Sequence, residues 1–299
     1  MAEPPYFADD PLAEGEVRDK AKLLTQLPTA RPGSKDWDKW LINNPEYHDW
    51  VADRWLGGER GLSPLPANFV ETRIALHRLA AIVIAPIRFA ANGKFGLRYT
   101  LGGFGTPFFG DDRQIRVQDG RLIDQRGSEA RSVPITTLRR AAEFLETEID
   151  GTTAREDDSP EVGDIDEPLA ITLAGNRFLG DWYGMATAAL EGFRNHAVDP
   201  SRVQLWPGHF DPAIEAGDDD NRASYGASPG DDAITEPYLY VGVWYPDRAN
   251  IKHDALELDA ESFAGSLLPL SEFPVGEDPV LVAQRFWGTF HKSLHRKRA

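Results

Sequence analysis

The sequence of 299 residues has no cysteine and few basic residues. Without cysteine, no disulfide framework, thiolate metal site or cysteine nucleophile is available, and a reducing compartment fits. The 32 Lys and Arg stand against 48 Asp and Glu, which gives a formal net charge of −16. This charge repels phosphate backbones and anionic lipid surfaces, so we expect no nucleic-acid partner and no membrane partner.

Signatures of several common chemistries are also missing. The chain has no Walker loop, no Gly-x-Gly-x-x-Gly and no His-Glu-x-x-His, which argues against nucleotide hydrolysis, Rossmann cofactors and zincin chemistry. The N-terminus has no basic start followed by an apolar run, and the apolar stretch LAAIVIAPIRFAA is interrupted by Pro86 and Arg88. Because this stretch is too short to span a bilayer, we expect a cytoplasmic protein.

Short alternating runs separated by turn signals, beside a few long helical patterns, predict an α+β fold. We expect a mainly antiparallel sheet packed against a few long helices. Asp119-Gly120 predicts a hairpin, and Asn92-Gly93 predicts the end of a long helix that Pro86 should kink. Asp278 is the predicted cap of the last helix. The predicted buried stripe of that helix is Val282, Phe286, Phe290 and Leu294.

The sequence divides into four parts. Residues 1–68 form an N-terminal extension with a Trp-rich helical hairpin, and residues 69–149 form a first α+β half. Residues 150–168 are an acidic linker, and residues 169–299 form a second α+β half that carries the candidate site. Because both halves contain a helix, strands and a loop that ends in Gly-Asp-Asp, two similar halves are one interpretation, and chance similarity of turns is the other.

Two loops share the same pattern, FGTPFFGDD at 104–112 and SYGASPGDD at 224–232. They are either unrelated turns or two copies of one loop that builds a site. We favour the turn interpretation for Asp111 and Asp112. The second loop alone lies close in sequence to His209 and Asp211, so we expect it to belong to a site.

The segment RVQLWPGHFD carries the candidate catalytic pair. Strand alternation places His209 and Asp211 on one face, which is typical of a strand that leaves the core at the mouth of a cavity. An imidazole and a carboxylate two residues apart can share a ligand, a metal or a proton. His77, by contrast, is interpreted as a helix-surface or interface histidine. The candidate ligand-binding residues are Trp206, Arg222, Tyr225, Ser228, Asp231, Asp232 and, in the first half, Arg98.

Oxygen-rich side chains in DDDNRASYGASPGDD suit Mg²⁺ or Ca²⁺, although their spacing matches no EF-hand loop. The sequence leaves the cofactor open, and a divalent cation is the less favoured interpretation of this loop, which is typical of a solvated acidic segment.

Four segments carry a resemblance to a known group of proteins: LHRLAAIVIAPIRFAANGKFGLRYTLGGFGTPFFGDDRQIRV, RVQLWPGHFD, ASYGASPGDD and PYLYVGVW. They resemble segments that recur in a family of uncharacterised actinobacterial proteins, over the range from Phe69 to the C-terminus. The order of the motifs is also similar to that of a wider bacterial family labelled as a domain of unknown function. The resemblance implies a shared design of these segments, and it implies no activity, substrate or cofactor.

Three functions remain open. The favoured one is the binding of a small polar molecule in a pocket near WPGHFD and SYGASPGDD. The alternative is a hydrolase or isomerase in which His209 is the general base, Asp211 orients it, and the aspartate loop holds a metal or the cationic part of a substrate. A second alternative is a protein-interaction module that uses the Trp-rich N-terminal segment. The sequence leaves the ligand and the oligomeric state open.

Overall fold

The computed structural model describes residues 42, 45–47, 62–100, 102–110, 113–126, 129–149, 158–218, 220–247 and 264–295. The helices are α1 (Phe69–Asn92), α2 (Leu138–Leu145), α3 (Leu173–Arg194) and α4 (Pro279–Leu294), with short 3₁₀ turns at Pro45–Tyr47 and Leu270–Glu272. The strands are β1 (Arg98–Thr100), β2 (Gly103–Gly105), β3 (Arg113–Gln118), β4 (Arg121–Arg126), β5 (Glu129–Pro134), β6 (Gln204–Trp206), β7 (Asp211–Ala216), β8 (Ala223–Ser228), β9 (Tyr238–Val243) and β10 (Gly265–Pro269).

The strands form two antiparallel five-stranded sheets. Their orders are β1-β2-β3-β4-β5 and β10-β9-β8-β7-β6, so each strand pairs with its neighbours along the chain. The predicted hairpin at Asp119-Gly120 joins β3 to β4, and both turn residues have positive φ, as a two-residue hairpin of this kind requires. The predicted α+β architecture with antiparallel pairing is confirmed.

The two sheets meet edge to edge at one residue pair. Leu97, just before β1, donates its N–H to the carbonyl of Leu205 in β6 at 2.7 Å, and Leu205 donates to Leu97 at 2.9 Å. This isolated antiparallel bridge aligns the edge strands of the two sheets, so one face of both can be covered by the same helices.

Helix α3 runs across that shared face and packs against β1, β2, β7 and β8. Its Tyr183 meets Phe104 of β2 edge to face, and its Phe193 packs on Tyr225 of β8. Helix α4 packs beside α3. Thr172 caps the N-terminus of α3, because its side-chain oxygen accepts the N–H of Gly175.

Helix α1 contains a π-helical turn, Ala80–Ile84, immediately before the segment that contains Pro86. A proline ring clashes with the carbonyl four residues earlier in a regular α-helix, and a π turn is a common way to widen the helix at such a point. The helix ends at Gly93 in the left-handed conformation, as predicted. Its length and mean hydropathy of 1.6 would suit a membrane span, but 61% of its apolar window is buried, as in the core helix of a folded protein.

Helix α4 begins as predicted, because the Asp278 side chain accepts the N–H of Val280 and Pro279 occupies the first turn. The predicted buried stripe is shifted. Phe286 and Phe290 are only partly buried. The fully buried positions are Val280, Val282, Ala283, Trp287, His291 and Leu294.

Two strand assignments change. The segment RVQLWPGHFD, predicted as a continuous strand, is interrupted by a turn at 207–210, which separates β6 from β7. The segment ASYGAS, read as part of a glycine-rich loop, is β8, a central strand of the second sheet. Its pairing on both sides removes most of the predicted loop, and only the part after Ser228 is irregular.

Some predictions fall outside the described residues. These are the Trp-rich hairpin apart from Ile42 and Pro45–Tyr47, the first Gly-Asp-Asp pair Asp111 and Asp112, and the first part of the acidic linker at 150–157. The rest of that linker, 158–168, contacts the helices, since Arg78 of α1 donates to the carbonyls of Val162 at 2.8 Å and Asp164 at 2.9 Å. The proposed domain boundaries stay predictions.

Candidate ligand-binding site

The WPGHFD segment forms a tight four-residue turn between β6 and β7. The N–H of Phe210 bonds to the carbonyl of Trp206 at 2.7 Å, and Phe210 has a φ of 58°. A bulky residue rarely adopts this left-handed conformation, so the surrounding structure must hold it there. The turn interrupts the expected alternation. His209 points outward, with 68% of its side chain exposed, whereas Asp211 is 2% exposed.

An aromatic box holds the Phe210 ring. The ring stacks on His77 of α1 with centroids 5.0 Å apart, and it meets Phe104 and Tyr183 edge to face at 5.0 and 5.6 Å. The Tyr183 hydroxyl also donates to the Phe210 carbonyl. These contacts explain how the strained backbone of the turn is maintained.

His77 fixes the other end of the turn. Its Nε2 lies 2.9 Å from the carbonyl oxygen of Pro207 and 3.0 Å from that of Gly208, so Nε2 carries the proton and donates to both. Burial lowers the pKa of His77 to about 4, so the ring is neutral near pH 7. His77 is therefore an interface histidine that ties α1 to the turn.

Asp211, the residue after this turn, is a buried carboxylate with unused bonding capacity. The Tyr240 hydroxyl donates to its Oδ2, while its Oδ1 has no hydrogen-bond partner among the described residues. Burial raises the pKa of Asp211, and the Tyr240 hydrogen bond and nearby His209 partly oppose this. Gly226 lies between β7 and β9, and a Cβ there would come within 2.4 Å of the Tyr240 ring. Glycine thus lets Tyr240 lie across β8 towards Asp211.

The second Gly-Asp-Asp loop closes next to these tyrosines. Asp231 accepts the N–H groups of Ala233 at 2.7 Å and Ile234 at 2.8 Å with one oxygen, and the Tyr238 hydroxyl at 2.5 Å with the other. Ser228 accepts the N–H of Gly230 at 3.1 Å. Asp231 therefore organises its own turn and is also connected to β9.

Arg73 of α1, one helical turn before His77, faces this loop. The residue is 5% exposed, and its Nε has no hydrogen-bond partner in the described part of the chain. Burial lowers the pKa of Arg73, while the carboxylates of Asp231 and Asp232 oppose the shift. Neither aspartate lies within salt-bridge distance among the described contacts, so the guanidinium is buried near negative charge without being paired.

Two tyrosines connect the buried arginine and the buried aspartate. Tyr183 lies within electrostatic reach of both Asp211 and Arg73, and burial raises its pKa. Tyr238 lies within reach of Asp211 and also influences Arg73. We call this group the Arg73–Asp211 cluster. It comprises Arg73, Tyr183, Asp211, Ser228, Asp231, Asp232, Tyr238 and Tyr240.

Of the candidate ligand-binding residues, Trp206 pairs directly with Asp211 across β6 and β7 and so borders the cluster. Three others lie elsewhere. Tyr225 is fully buried on the helix-covered face against α3 and α4, and Arg98 lies in the first sheet. Arg222 donates to the Gly217 carbonyl at 3.2 Å and lies over the Trp244 ring, so it holds a strand end.

His209 lies beside the cluster but points away from it. Its Nε2 is 3.7 Å from the exposed carboxylate of Asp158. The described contacts of His209 include no hydrogen bond to Asp211, so the catalytic pair stays a prediction.

The sequence reasoning missed four members of the cluster: Arg73, Tyr183, Tyr238 and Tyr240. Tyr238 and Tyr240 are two residues apart in YLYVGVW, a spacing that puts both on one strand face. Arg73 stands four residues before His77 and therefore shares its helix face. No local pattern connects Arg73, or the pair Tyr238 and Tyr240, to Asp211. These residues lie on α1, β9 and β7, which come together only in the folded chain.

A further pattern was also missed, since Gly226-Ala227-Ser228-Pro229-Gly230 has the form Gly-x-Ser-x-Gly. In a nucleophile elbow this pattern joins a strand to a helix, and the serine backbone is strained. Here it follows β8 into a loop that leads to β9, and Ser228 has no positive φ. The pattern therefore does not form an elbow.

No group of three or more His, Asp or Glu side chains among the described residues is arranged to hold a metal ion. A groove of about 670 Å³ lies away from the cluster, between the C-terminal part of α3 and α4. Its lining includes Gly192, Phe193, Gly288, His291 and Lys292.

A scan against protein-family models, a search of curated proteins and a search of solved structures found no match to this chain. The resemblance to an actinobacterial family stays a prediction.

Proposed function

We propose that the protein binds a small polar molecule at the Arg73–Asp211 cluster. The observation that supports this most is the combination of a buried guanidinium and a buried carboxylate that do not satisfy each other. Arg73 is 5% exposed and Asp211 is 2% exposed, and each has a buried polar atom without a partner among the described residues.

Such atoms are costly in a protein that only has to fold. A buried polar atom without a hydrogen bond costs about 1–3 kcal/mol, and more when the group is charged. Sites of binding and catalysis are where such costs are tolerated, because a ligand supplies the missing bonds. Asp124 shows the contrast, since this buried carboxylate is paired with Arg113 at 2.7 Å and Arg131 at 3.0 Å.

Hydrogen bonds hold the segments around the cluster in place, which favours binding. The turn before Asp211 is held by His77 and Tyr183, and the loop that contains Asp231 is held by its own amides and by Tyr238. A site whose polar groups are fixed before binding loses less entropy when a ligand arrives.

The proposal extends to the origin of the fold. In the described residues each five-stranded sheet is preceded by a long helix and followed by another helix. We propose that these are two similar halves joined at Leu97 and Leu205, and that the second half supplies every member of the cluster except Arg73, which lies on α1 of the first half.

The test compares the stability of isosteric variants. We expect Asp211→Asn and Arg73→Met to leave the free energy of unfolding unchanged or to raise it by about 1–2 kcal/mol, because each removes an unpaired buried charge. Asp124→Asn is the matched control and should lose about 3–5 kcal/mol, since it breaks a satisfied buried pair. Urea unfolding monitored by tryptophan fluorescence measures all three. A loss for Asp211→Asn as large as that of the control would show that Asp211 is structural and would contradict the proposal.

A further inference from the structure

We infer that the ligand of the Arg73–Asp211 cluster is a small zwitterion, with a carboxylate for Arg73 and an ammonium group for the aspartates. This inference rests on the proposed function and adds the chemical class of the ligand. It depends on which bonding groups of the cluster are already used and which are not.

The cationic side of the cluster is Arg73. Its planar fork of N–H donors matches the two oxygens of a carboxylate, and such bidentate pairs are among the strongest hydrogen bonds in proteins. Asp231 does not occupy this fork, because its oxygens accept from Ala233, Ile234 and Tyr238. A carboxylate on the ligand would supply the pairing that the described residues do not provide.

The anionic side consists of Asp211 and Asp232. The Oδ1 of Asp211 lacks a partner among the described residues, and Asp232 is exposed at the edge of the cluster. An ammonium group beside Asp211 would donate to the free oxygen and favour its ionised form. The hydroxyl of Tyr240 already donates to the other oxygen, which leaves Oδ1 for the ligand.

The balance of charge excludes simpler ligands. Arg73 interacts electrostatically with Asp231 and Asp232, and the third carboxylate of the cluster, that of Asp211, is connected to Arg73 through Tyr183, which interacts with both. A ligand with only a negative charge would pair with the Arg73 guanidinium but would be repelled by the aspartates. A ligand with only a positive charge would pair with the aspartates but would leave Arg73 unpaired. A molecule with both charges satisfies both sides, which is the usual meaning of electrostatic complementarity.

Tyr183 and Tyr238 lie within electrostatic reach of both ends of the cluster. We place the uncharged chain of the ligand between the two ends, on the side of Tyr238, because the hydroxyl of Tyr183 is already bonded to the Phe210 carbonyl. Only one separation of charge will fit both ends, so length selectivity is expected within a homologous series.

The experiment is a calorimetric titration of the full chain with glycine, β-alanine, γ-aminobutyrate, δ-aminovalerate and ε-aminocaproate. The matched probes are the alkylamine and the alkanoate of the same chain length. We expect one length to bind best, and about tenfold or more tighter than its amine or acid analogue, because each lost charged hydrogen bond is worth this much. If the amine or the acid alone binds as tightly, or if no zwitterion of the series binds, the inference is overturned.

Two variants assign the ends. Arg73→Met should remove the advantage of the zwitterion over the amine, and Asp211→Asn should remove its advantage over the acid. Arg222→Met is the control, because Arg222 holds a strand end outside the cluster. The two hypotheses fail separately. If Arg73→Met and Asp211→Asn do not lower the free energy of unfolding but the unchanged chain shows no preference for a zwitterion, only the ligand class is refuted. If these variants lower the free energy of unfolding as much as the control does, the proposed function itself is refuted.

Discussion

Acid should weaken this fold mainly through two buried histidines, His77 and His291. His291 of α4 accepts the N–H of Val198 at Nε2, with a separation of 3.1 Å, and its Nδ1 lies 2.8 Å from the Tyr225 hydroxyl. Because Nε2 is an acceptor, the proton of the neutral ring is on Nδ1 and is donated to Tyr225. A second proton would have to enter between Nε2 and the Val198 N–H, where it would meet another donor.

The pKa values give the direction and size of the effect. Burial lowers the pKa of His291 from 6.5 to about 4; neighbouring His295 adds to the shift and Asp218 opposes it. Burial lowers the pKa of His77 to about 4 as well. The unfolded chain therefore binds more protons between these values, so the stabilisation is complete above pH 6.5 and is lost as the pH falls towards 4. Each histidine should contribute about 3 kcal/mol over the whole range and about 2 kcal/mol between neutral pH and about pH 5.

Urea unfolding at a series of pH values between about 7 and 5 measures this loss. His291→Gln keeps an acceptor for Val198 and a donor for Tyr225 but cannot be protonated. Between about pH 7 and 5, its free energy of unfolding should therefore fall by about 2 kcal/mol less than that of the unchanged chain. His209→Gln is the control for the loss of a histidine side chain, since 68% of the His209 side chain is exposed. An unchanged pH dependence in His291→Gln would refute the reasoning.

Three further predictions concern the turn and the sheets. Phe210→Ala should lose about 3–5 kcal/mol in urea unfolding because it empties the aromatic box, whereas His209→Ala should change stability by less than about 0.5 kcal/mol; equal losses would contradict the orientation of the turn. Gly226→Ala should lower stability by about 1–3 kcal/mol, since the new Cβ would push the Tyr240 ring off β8, and a wild-type melting temperature would contradict the close approach. Leu205→Pro removes the N–H that crosses between the sheets, so hydrogen exchange should become faster at β1 and β6 but not at β4, and uniform exchange would argue against an edge-to-edge join.

Local signals predicted much of the fold. The hairpin at Asp119-Gly120, the helix end at Gly93 and the cap at Asp278 were all found where the sequence placed them. Each depends on the backbone preference or bonding of a few adjacent residues, which the rest of the chain does not alter. Antiparallel pairing followed from the same signals, because short loops can join only neighbouring strands.

The parts that failed depend on distant contacts. The turn at WPGHFD was missed because Phe210 adopts a positive φ only when His77 and Tyr183 hold it. Phe286 looked like a core position from its spacing, but α4 turns Trp287 towards the sheet instead. In the same way, only the folded chain brings α1, α3 and β9 to Asp211, so the sequence suggested the location of the site and not its members.

The edge-to-edge join has a consequence for how the chain folds. Within each sheet every strand pairs with the strand next to it in sequence, so these contacts close short loops and should form early. The pair Leu97 and Leu205, more than a hundred residues apart, closes a much longer loop with only two hydrogen bonds. Helix α3 contacts both sheets and stands between them in the chain. Docking of α3 should therefore set the rate of the last folding step, and the two sheets would exist as separate, partly folded intermediates before it.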